Sequence, residues 1–267
     1  MNKKVILRFL MRHPVLFSLL KCIREIPYMH KGKSLFRKDL REYNSSNVTD
    51  FIFQKQYRNP CLIDRYQKAG SEGQYFWQDL WAARLIAQAK PYEHYDIGSR
   101  IDGFIAHLAC FMEHIHVIDV RPFDMNIPGV DFKQEDATEL EGVLDGSITS
   151  ISALCSLEHF GLGRYGDPID PEACFKAMRS IERVLAPGGH AYISVPIGWE
   201  HLEFNAHRIF YAKTIKEIFS NCDLVEFSTT DGDCVETYTP LEKYDGEKDN
   251  MGGRFGLFHF IKREWTM

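Results

Sequence analysis

HYDIGSRIDGFIAHLACFMEHIHVIDV, residues 94–120, decides how the chain is read. Residues 94–98 are a short strand that ends in a glycine turn. Residues 101–112 have helical spacing of apolar side chains, and residues 115–120 are a second short apolar strand. Strand, turn, helix, strand is the unit from which parallel sheets are wound, because a parallel return needs a crossover rather than a hairpin. The alternation continues downstream. Strands are predicted at 130–134, 147–156, 190–196, 223–229 and 254–262, and helices at 171–186 and 212–221. Asp170 is the expected N-cap of the 171–186 helix, Pro171 its first residue and Pro187-Gly188-Gly189 its stop. Upstream, 72–90 reads as a helix with Tyr75, Trp77, Leu80, Trp81, Leu85 and Ile86 as its apolar stripe.

Seven strands alternating with helices predict an α/β fold. It is a Rossmann-like, doubly wound, seven-stranded and mostly parallel sheet with helices on both faces, plus an N-terminal helical extension. Right-handed crossovers place the functional loops at the carboxyl ends of strands one, two, four and five. The length of 267 residues suits one large domain with an extension. Apolar residues at 45% and charged residues at 26% exclude wholesale disorder and collagen-like structure. The turn-rich Asn44-Ser45-Ser46-Asn47 marks the expected boundary, giving an extension over 1–47 and a main domain over 48–267.

The net charge of -5 hides an asymmetry. Residues 1–41 carry eleven Lys or Arg and two acids, whereas the remainder carries 21 bases and 35 acids. An acidic body is a poor wrapper of nucleic acid, so no nucleic-acid partner is expected. The arm's longest uncharged stretch, 13–20, is eight residues, too short to span a bilayer. Pro14 is expected to divide the arm into two short helices. Two readings of it stand: a surface-lying amphipathic segment making peripheral membrane contact through residues 1–27, or a cap packed on the main domain with its bases in water. Seven scattered cysteines without a C-x-x-C exclude a disulfide framework and a zinc ribbon. They point to a reducing, cytoplasmic setting, at the inner membrane face if the arm binds lipid, with most thiols as buried small apolar groups. Residues 230–253 are acidic and turn-rich, either a lid or a solvated loop.

Chemistry concentrates at strand ends. Asp96 precedes the tight turn at Gly98-Ser99, where backbone can pass close to a ligand. Asp119 ends the second strand, where an acid can accept both ribose hydroxyls of a nucleoside. Asp136 follows the third strand, within reach of an adenine amino group.

The order continues with Ser156-Leu157-Glu158-His159 after the fourth strand and with "VLAPGGHAYISVP" (184–196) into the fifth. Over residues 92–230 the chain resembles the class I S-adenosylmethionine-dependent methyltransferases. "SLEHFGLGRYGDP" and "FNAHRIF" are most similar to a branch associated with bacterial surface-polysaccharide synthesis. The resemblance implies S-adenosylmethionine as cofactor. Asp96 and Gly98, with the adjoining Ser99, line its methionine end; Asp119 holds the ribose and Asp136 the adenine; Cys155 and Ser156 lie near the sulfonium. The chain departs from the family's acid-x-Gly-x-Gly-x-Gly at Arg100 and Asp102. Arg100 either crowds the cofactor or binds its carboxylate.

Two histidines fall where substrate belongs, and either suits general-base work on a hydroxyl: His159, and His207 in Phe204-Asn205-Ala206-His207-Arg208. A structural hydrogen bond for His159 and a partly exposed loop position for His207 remain the plainer alternatives. Tyr165, Asn205 and Arg208 are the substrate-binding candidates, with Asp167 shaping the pocket; Arg208 either binds a phosphate or carboxylate or pairs with Glu203. His201, His207, Glu200 and Glu203 match no zinc spacing, so no metal is expected. Cys155 has no orienting histidine and reads as buried filler. The expected function is methyl transfer to a small-molecule or lipid-linked glycan acceptor. A methyltransferase-like scaffold that has lost catalysis is the alternative, and a nicotinamide enzyme a weaker third. Nothing in the sequence specifies an oligomeric state.

Overall fold

Apolar runs at 148–154 and 190–196 form the two central strands of the main sheet, buried on both faces by helices. The computed structural model describes residues 14–67, 70, 73–124, 126–248 and 253–264. They divide into two compact units, Met1–Ser71 and Glu72–Met267. In the first, helix α1 (Pro14–Ser46) runs through Pro27 and stops before Asn47. The segment after it is tied back by Arg65–Asp39 at 2.6 Å and by the Tyr43 hydroxyl donating to the Phe51 carbonyl at 2.8 Å. Residues 1–13 of the expected basic arm lie outside the described residues, so the break expected at Pro14 stands at their edge.

In the second unit, helix α2 (Gln74–Ala89) precedes strands β1 (His94–Ile97), β2 (Ile115–Asp119), β3 (Val130–Gln134), β4 (Ile148–Leu154) and β5 (Leu185–Pro196). Between β1 and β2 the chain makes a wide helical turn, Ile101–Ile105, and one turn of helix α3 (Ala106–Leu108). Helix α4 (Ala173–Val184) joins β4 to β5. A small hairpin, β6 (His201–Glu203) and β7 (His207–Ile209), precedes helix α5 (Ala212–Ile218), β8 (Cys222–Thr230), β9 (Val235–Glu236) and β10 (Phe255–Lys262).

The main sheet has the order β3-β2-β1-β4-β5-β10-β8-β9. Strands β1 to β5 are parallel, and β10 runs antiparallel between β5 and β8. It is the predicted doubly wound, mostly parallel α/β sheet, with eight strands instead of seven. The eighth, β9, is two residues long and lies within the acidic connection, which had no strand signal.

Side-chain alternation assigns the two faces. Ala191, Ile193 and Val195 of β5 pack with Cys174, Ala177, Met178 and Ile181 of α4, whereas Tyr192 points to Trp81, Ala82 and Ile86 of α2. Each large aliphatic so buried contributes roughly 1.5–3 kcal/mol. The α2 stripe differs from the one expected: Gln78 and Asp79 are buried, and Tyr75 is partly exposed. The helix expected over 101–112 is shorter and opens into a wide turn over Ile101–Ile105, within which Gly103 leaves room for Asp79, whose Oδ2 stands 2.3 Å from where a Cβ would sit. Pro187-Gly188-Gly189 does not follow the helix as a stop; β5 begins at Leu185 and contains it. The helix expected from Pro171 begins at Ala173 with Glu172 at its N-cap position, so Asp170 lies in the preceding turn, where its Oδ1 accepts the Glu172 N–H at 2.9 Å. All seven cysteines are free, but only Cys155, Cys174 and Cys222 are buried, so most do not serve as core filler. Among the described residues no helix is long and apolar enough to cross a membrane.

Candidate functional site

The chain leaves β1 and β4 on opposite sides of the same point, since β2 and β3 wind one way and β5 the other. Such a switch opens a crevice beyond the carboxyl ends of the strands. A cleft of about 1010 Å³ occupies it, lined by the loops after β1, β2, β3 and β4 and by Tyr75 of α2.

The turn after β1 is held from below. Asp96 is fully buried and accepts the Ser99 N–H at 2.9 Å, the Ser99 hydroxyl at 2.6 Å and the Ser152 hydroxyl at 2.5 Å. Ser152 gives its one proton to Asp96, so it accepts from His94 Nε2–H at 2.8 Å, and His94 Nδ1 accepts from Ser150 at 2.8 Å. Burial pushes His94 down to about 3, consistent with this neutral tautomer. Asp96 is raised to about 6, burial outweighing the three hydrogen bonds. Asp96 does not line the cleft, contrary to the expectation that it contacts a cofactor. It shapes the loop that does. Ser99 lines the cleft, but its hydroxyl is spent on Asp96 and the Leu154 N–H.

Gly98 (φ +66°) tolerates no side chain, since a Cβ there would stand 3.0 Å from Ser156 Cβ and 3.9 Å from Asp119 Oδ2. The Ser156 hydroxyl donates to the Ile97 carbonyl at 2.6 Å, pinning the β4 loop to β1. Asp119 opens on the cleft but is gripped by Arg121, whose Nε and Nη2 lie 3.0 and 2.5 Å from its two oxygens. Asp136 lines the cleft from the next loop, its Oδ1 accepting the Thr138 N–H at 2.8 Å. Arg100 pairs with Asp102 at 2.9 Å and lies over the Tyr75 ring at 5.2 Å, half-exposed at the cleft wall.

Beyond β4, Cys155 lines the cleft at φ +49°, its thiol pushed well up by burial and so neutral. His159 also faces the cleft. Its Nδ1 lies 2.6 Å from the Ala206 carbonyl, which requires the proton there and leaves Nε2 as the acceptor, with Arg164 Nη1 and Glu158 Oε1 each 3.5 Å from it. Arg164 Nη1 donates to the same carbonyl at 2.9 Å. Burial first, then the Arg164 charge, hold His159 down to about 4. His207 does not line the cleft: it lies behind His159, ring centroids 6.2 Å apart, with Nε2 3.5 Å from a Glu203 oxygen. Tyr165 lines the cleft edge-on to His159. Asn205 is exposed at the hairpin turn and is not part of the lining. Arg208 is buried away from the cleft, donating to the carbonyls of Phe160 at 2.7 Å and Pro171 at 3.2 Å. It neither binds at the cleft nor pairs with Glu203. Among the described residues no group of three or more His, Cys, Asp or Glu could hold a metal.

Glu158 is fully buried beside His159, with Oε2 lacking a hydrogen-bond partner among the described residues. Burial raises it to about 8. A carboxyl raised on folding holds its proton more tightly in the native state. Native stability therefore falls as pH climbs from the ordinary carboxylate range through about 8, by up to about 1.4 kcal/mol per unit. Glu158→Gln is expected to melt several degrees above wild type at pH 8.5, with the gap narrowing towards pH 5. Parallel melting curves across that range would show that Glu158 does not titrate in the fold.

Sequence reasoning missed Arg121, Arg164, Tyr75 and the His94–Ser152 pair. Arg164 stood inside the "SLEHFGLGRYGDP" loop, and Arg121 follows the second strand two residues after its terminal acid, a usable signal. Tyr75 carried none, since it belongs to a helix before the sheet.

Residues 130–249 match the family described as Caenorhabditis protein of unknown function, DUF268. No curated protein matches the chain. Similar solved structures include the YcgJ protein of Bacillus subtilis, 15% identical over 69% of this chain and 99% of that one, TM-score 0.49. The 1,6-didemethyltoxoflavin-N1-methyltransferase of Burkholderia thailandensis, with bound 1,6-didemethyltoxoflavin and S-adenosylhomocysteine, is 16% identical over 88% and 91%, TM-score 0.49. The N-methyltransferase NodS of Bradyrhizobium japonicum WM9, in complex with S-adenosylhomocysteine, is 15% identical over 85% and 98%, TM-score 0.46.

Proposed function

We propose that the chain is an S-adenosylmethionine-dependent methyltransferase acting on a glycan or related small acceptor in surface-polysaccharide synthesis. The observation that carries the reading is the placement of Gly98, at φ +66°, and the Asp119 carboxylate together on the cleft at the switch point of the sheet, with Asp136 on the adjoining loop. A nucleoside needs that set: backbone without a side chain, a diol acceptor and an acceptor for an amino group. The cleft lacks a glycine-rich phosphate cradle, which disfavours a dinucleotide. The acidic lining residues likewise weigh against nucleic acid.

The residues present fit the cofactor. Asp119 and Asp136 hold its nucleoside, and Cys155 and Ser156 wall the far end with neutral groups. When bound, S-adenosylmethionine supplies a methyl group already activated on a sulfonium, so the chain's main task is alignment. Tyr165 and the β4 loop position the acceptor. His159 Nε2, kept unprotonated across neutral pH, accepts the hydroxyl proton. His207 packs behind it, outside the cleft lining. Calorimetric titration of the full chain with S-adenosylmethionine is the test: saturable heat is expected, and none would overturn the reading. The second reading, a binding subunit without turnover, is favoured by Arg100 and Asp102 where the family has glycine. It predicts that heat without methyl transfer to any acceptor pool.

We also propose peripheral contact with an anionic membrane surface through the N-terminal segment. Val15, Leu19, Ile23 and Ile26 lie at helical spacing along α1 and are all exposed, on a chain segment rich in Lys and Arg. The full chain is expected to co-sediment with phosphatidylserine vesicles, and a truncation lacking residues 1–27 to stay in the supernatant. Equal sedimentation of the two removes the contact.

A further inference from the structure

We infer that Arg121 is a latch on the nucleoside pocket, and that its release builds, with Arg164, an anion-binding site at Tyr165 for an acceptor bearing a phosphate or carboxylate. The inference rests on the methyltransferase reading and adds to it the charge of the acceptor and the order of binding.

Three observations carry it. The first is competition for one carboxylate. Arg121 Nε lies 3.0 and 3.2 Å from the two Asp119 oxygens, Nη2 lies 2.5 Å from one of them, and the Arg121 backbone N–H donates to Oδ1 at 2.8 Å. A ribose diol is also a two-pronged donor to those oxygens, and the Asp119 side chain is only 9% exposed. Both partners cannot be satisfied at once. The second is where the displaced guanidinium is already guided: Arg121 lies over the Tyr165 ring, 4.8 Å from its centroid.

The third is Arg164. It lies over the same ring at 5.2 Å and has no carboxylate partner among the described residues. Neighbouring cations of the cleft are neutralised locally, Arg100 by Asp102 and Lys176 by Asp170. The nearest acid in its own loop, Asp167, is turned to the backbone, accepting the N–H groups of Gly161, Gly163 and Tyr165. A guanidinium released from Asp119 therefore joins a second that has no ion pair among the described residues and sits beside His159, the group placed to take a hydroxyl proton. Two guanidinium forks on one aromatic ring suit a phosphate or carboxylate oxygen set. Neutral acceptors gain nothing from them.

The experiment titrates S-adenosylhomocysteine into the wild-type full chain, Arg121→Met and Arg164→Met by calorimetry. Inorganic phosphate and glucuronate are then titrated with and without saturating S-adenosylhomocysteine. Arg121→Met is expected to bind S-adenosylhomocysteine about three- to tenfold more tightly than wild type, and Arg164→Met to match wild type. In wild type, S-adenosylhomocysteine is expected to tighten one of the two anions at least fivefold, phosphate naming a phosphorylated acceptor and glucuronate a carboxylated one. Either arginine substitution should remove that gain. Wild type that binds S-adenosylhomocysteine, with Arg121→Met no tighter or with anion affinity unchanged by the ligand, overturns the latch and leaves the methyltransferase reading standing. No binding by wild type or Arg121→Met overturns both.

Discussion

Asp119→Ala is expected to weaken S-adenosylmethionine binding roughly 30- to 150-fold, the equivalent of about 2–3 kcal/mol from hydrogen bonds to a charged acceptor. The carboxylate stands at the end of β2, facing bare Gly98 backbone across the cleft mouth. Asp96 is beneath the turn, its hydrogen bonds made to Ser99 and Ser152, and Asp136 is on the following loop. The substitution removes no buried partner, because the freed Arg121 is half-exposed and can turn to water. Melting temperature should therefore stay within a few degrees of wild type, so that lost affinity reports the pocket and not the fold. Equal affinity for both proteins would mean that the ribose is held elsewhere, and the cleft would lose its nucleoside assignment.

Arg208→Ala is expected to lower the melting temperature by about 6–12 °C, corresponding to about 3 kcal/mol for a unit of this size. Its guanidinium gathers carbonyls from two separate loops, Phe160 after β4 and Pro171 before α4. Removal takes the Arg208 donors from those half-buried carbonyls and empties the buried space that the side chain fills. The same loops carry His159, so a properly folded remnant should also lose turnover. A substrate-binding arginine behaves differently: its loss weakens acceptor binding and leaves stability alone. Thermal unfolding of the two proteins separates these roles, and an unchanged melting temperature would return Arg208 to the substrate side.

The placement of His159 and His207 shows how far local pattern reaches. Both follow strands, both have an acid within four residues, and the chain treats them as equals. In the structure only His159 opens on the cleft, with its tautomer set by the Ala206 carbonyl from the hairpin turn. That hairpin, β6 and β7, has three-residue strands, too short for an alternation to be visible. Arg208 was misplaced for a related reason: a buried cation satisfied wholly by carbonyls has no sequence signature, because any residue supplies a carbonyl. Asp96 was placed correctly along the chain and wrongly in depth. A strand-end acid before a glycine turn can face either the ligand or the turn, and the choice was made by Ser152 and His94 on neighbouring strands.

By itself the sequence determined the alternation of strands and helices, the parallel winding, the crevice at strand ends and the need for glycine at position 98. These follow from periodicity, caps and backbone freedom, which are properties of short stretches of chain. Tertiary structure alone decided which charged groups face the cleft and which neutralise one another. Arg121 on Asp119, and Arg164 on the Ala206 carbonyl with no carboxylate partner among the described residues, are outcomes of distance and burial. Electrostatic partnership depends on the packing of several loops at once, and no single stretch of residues encodes it.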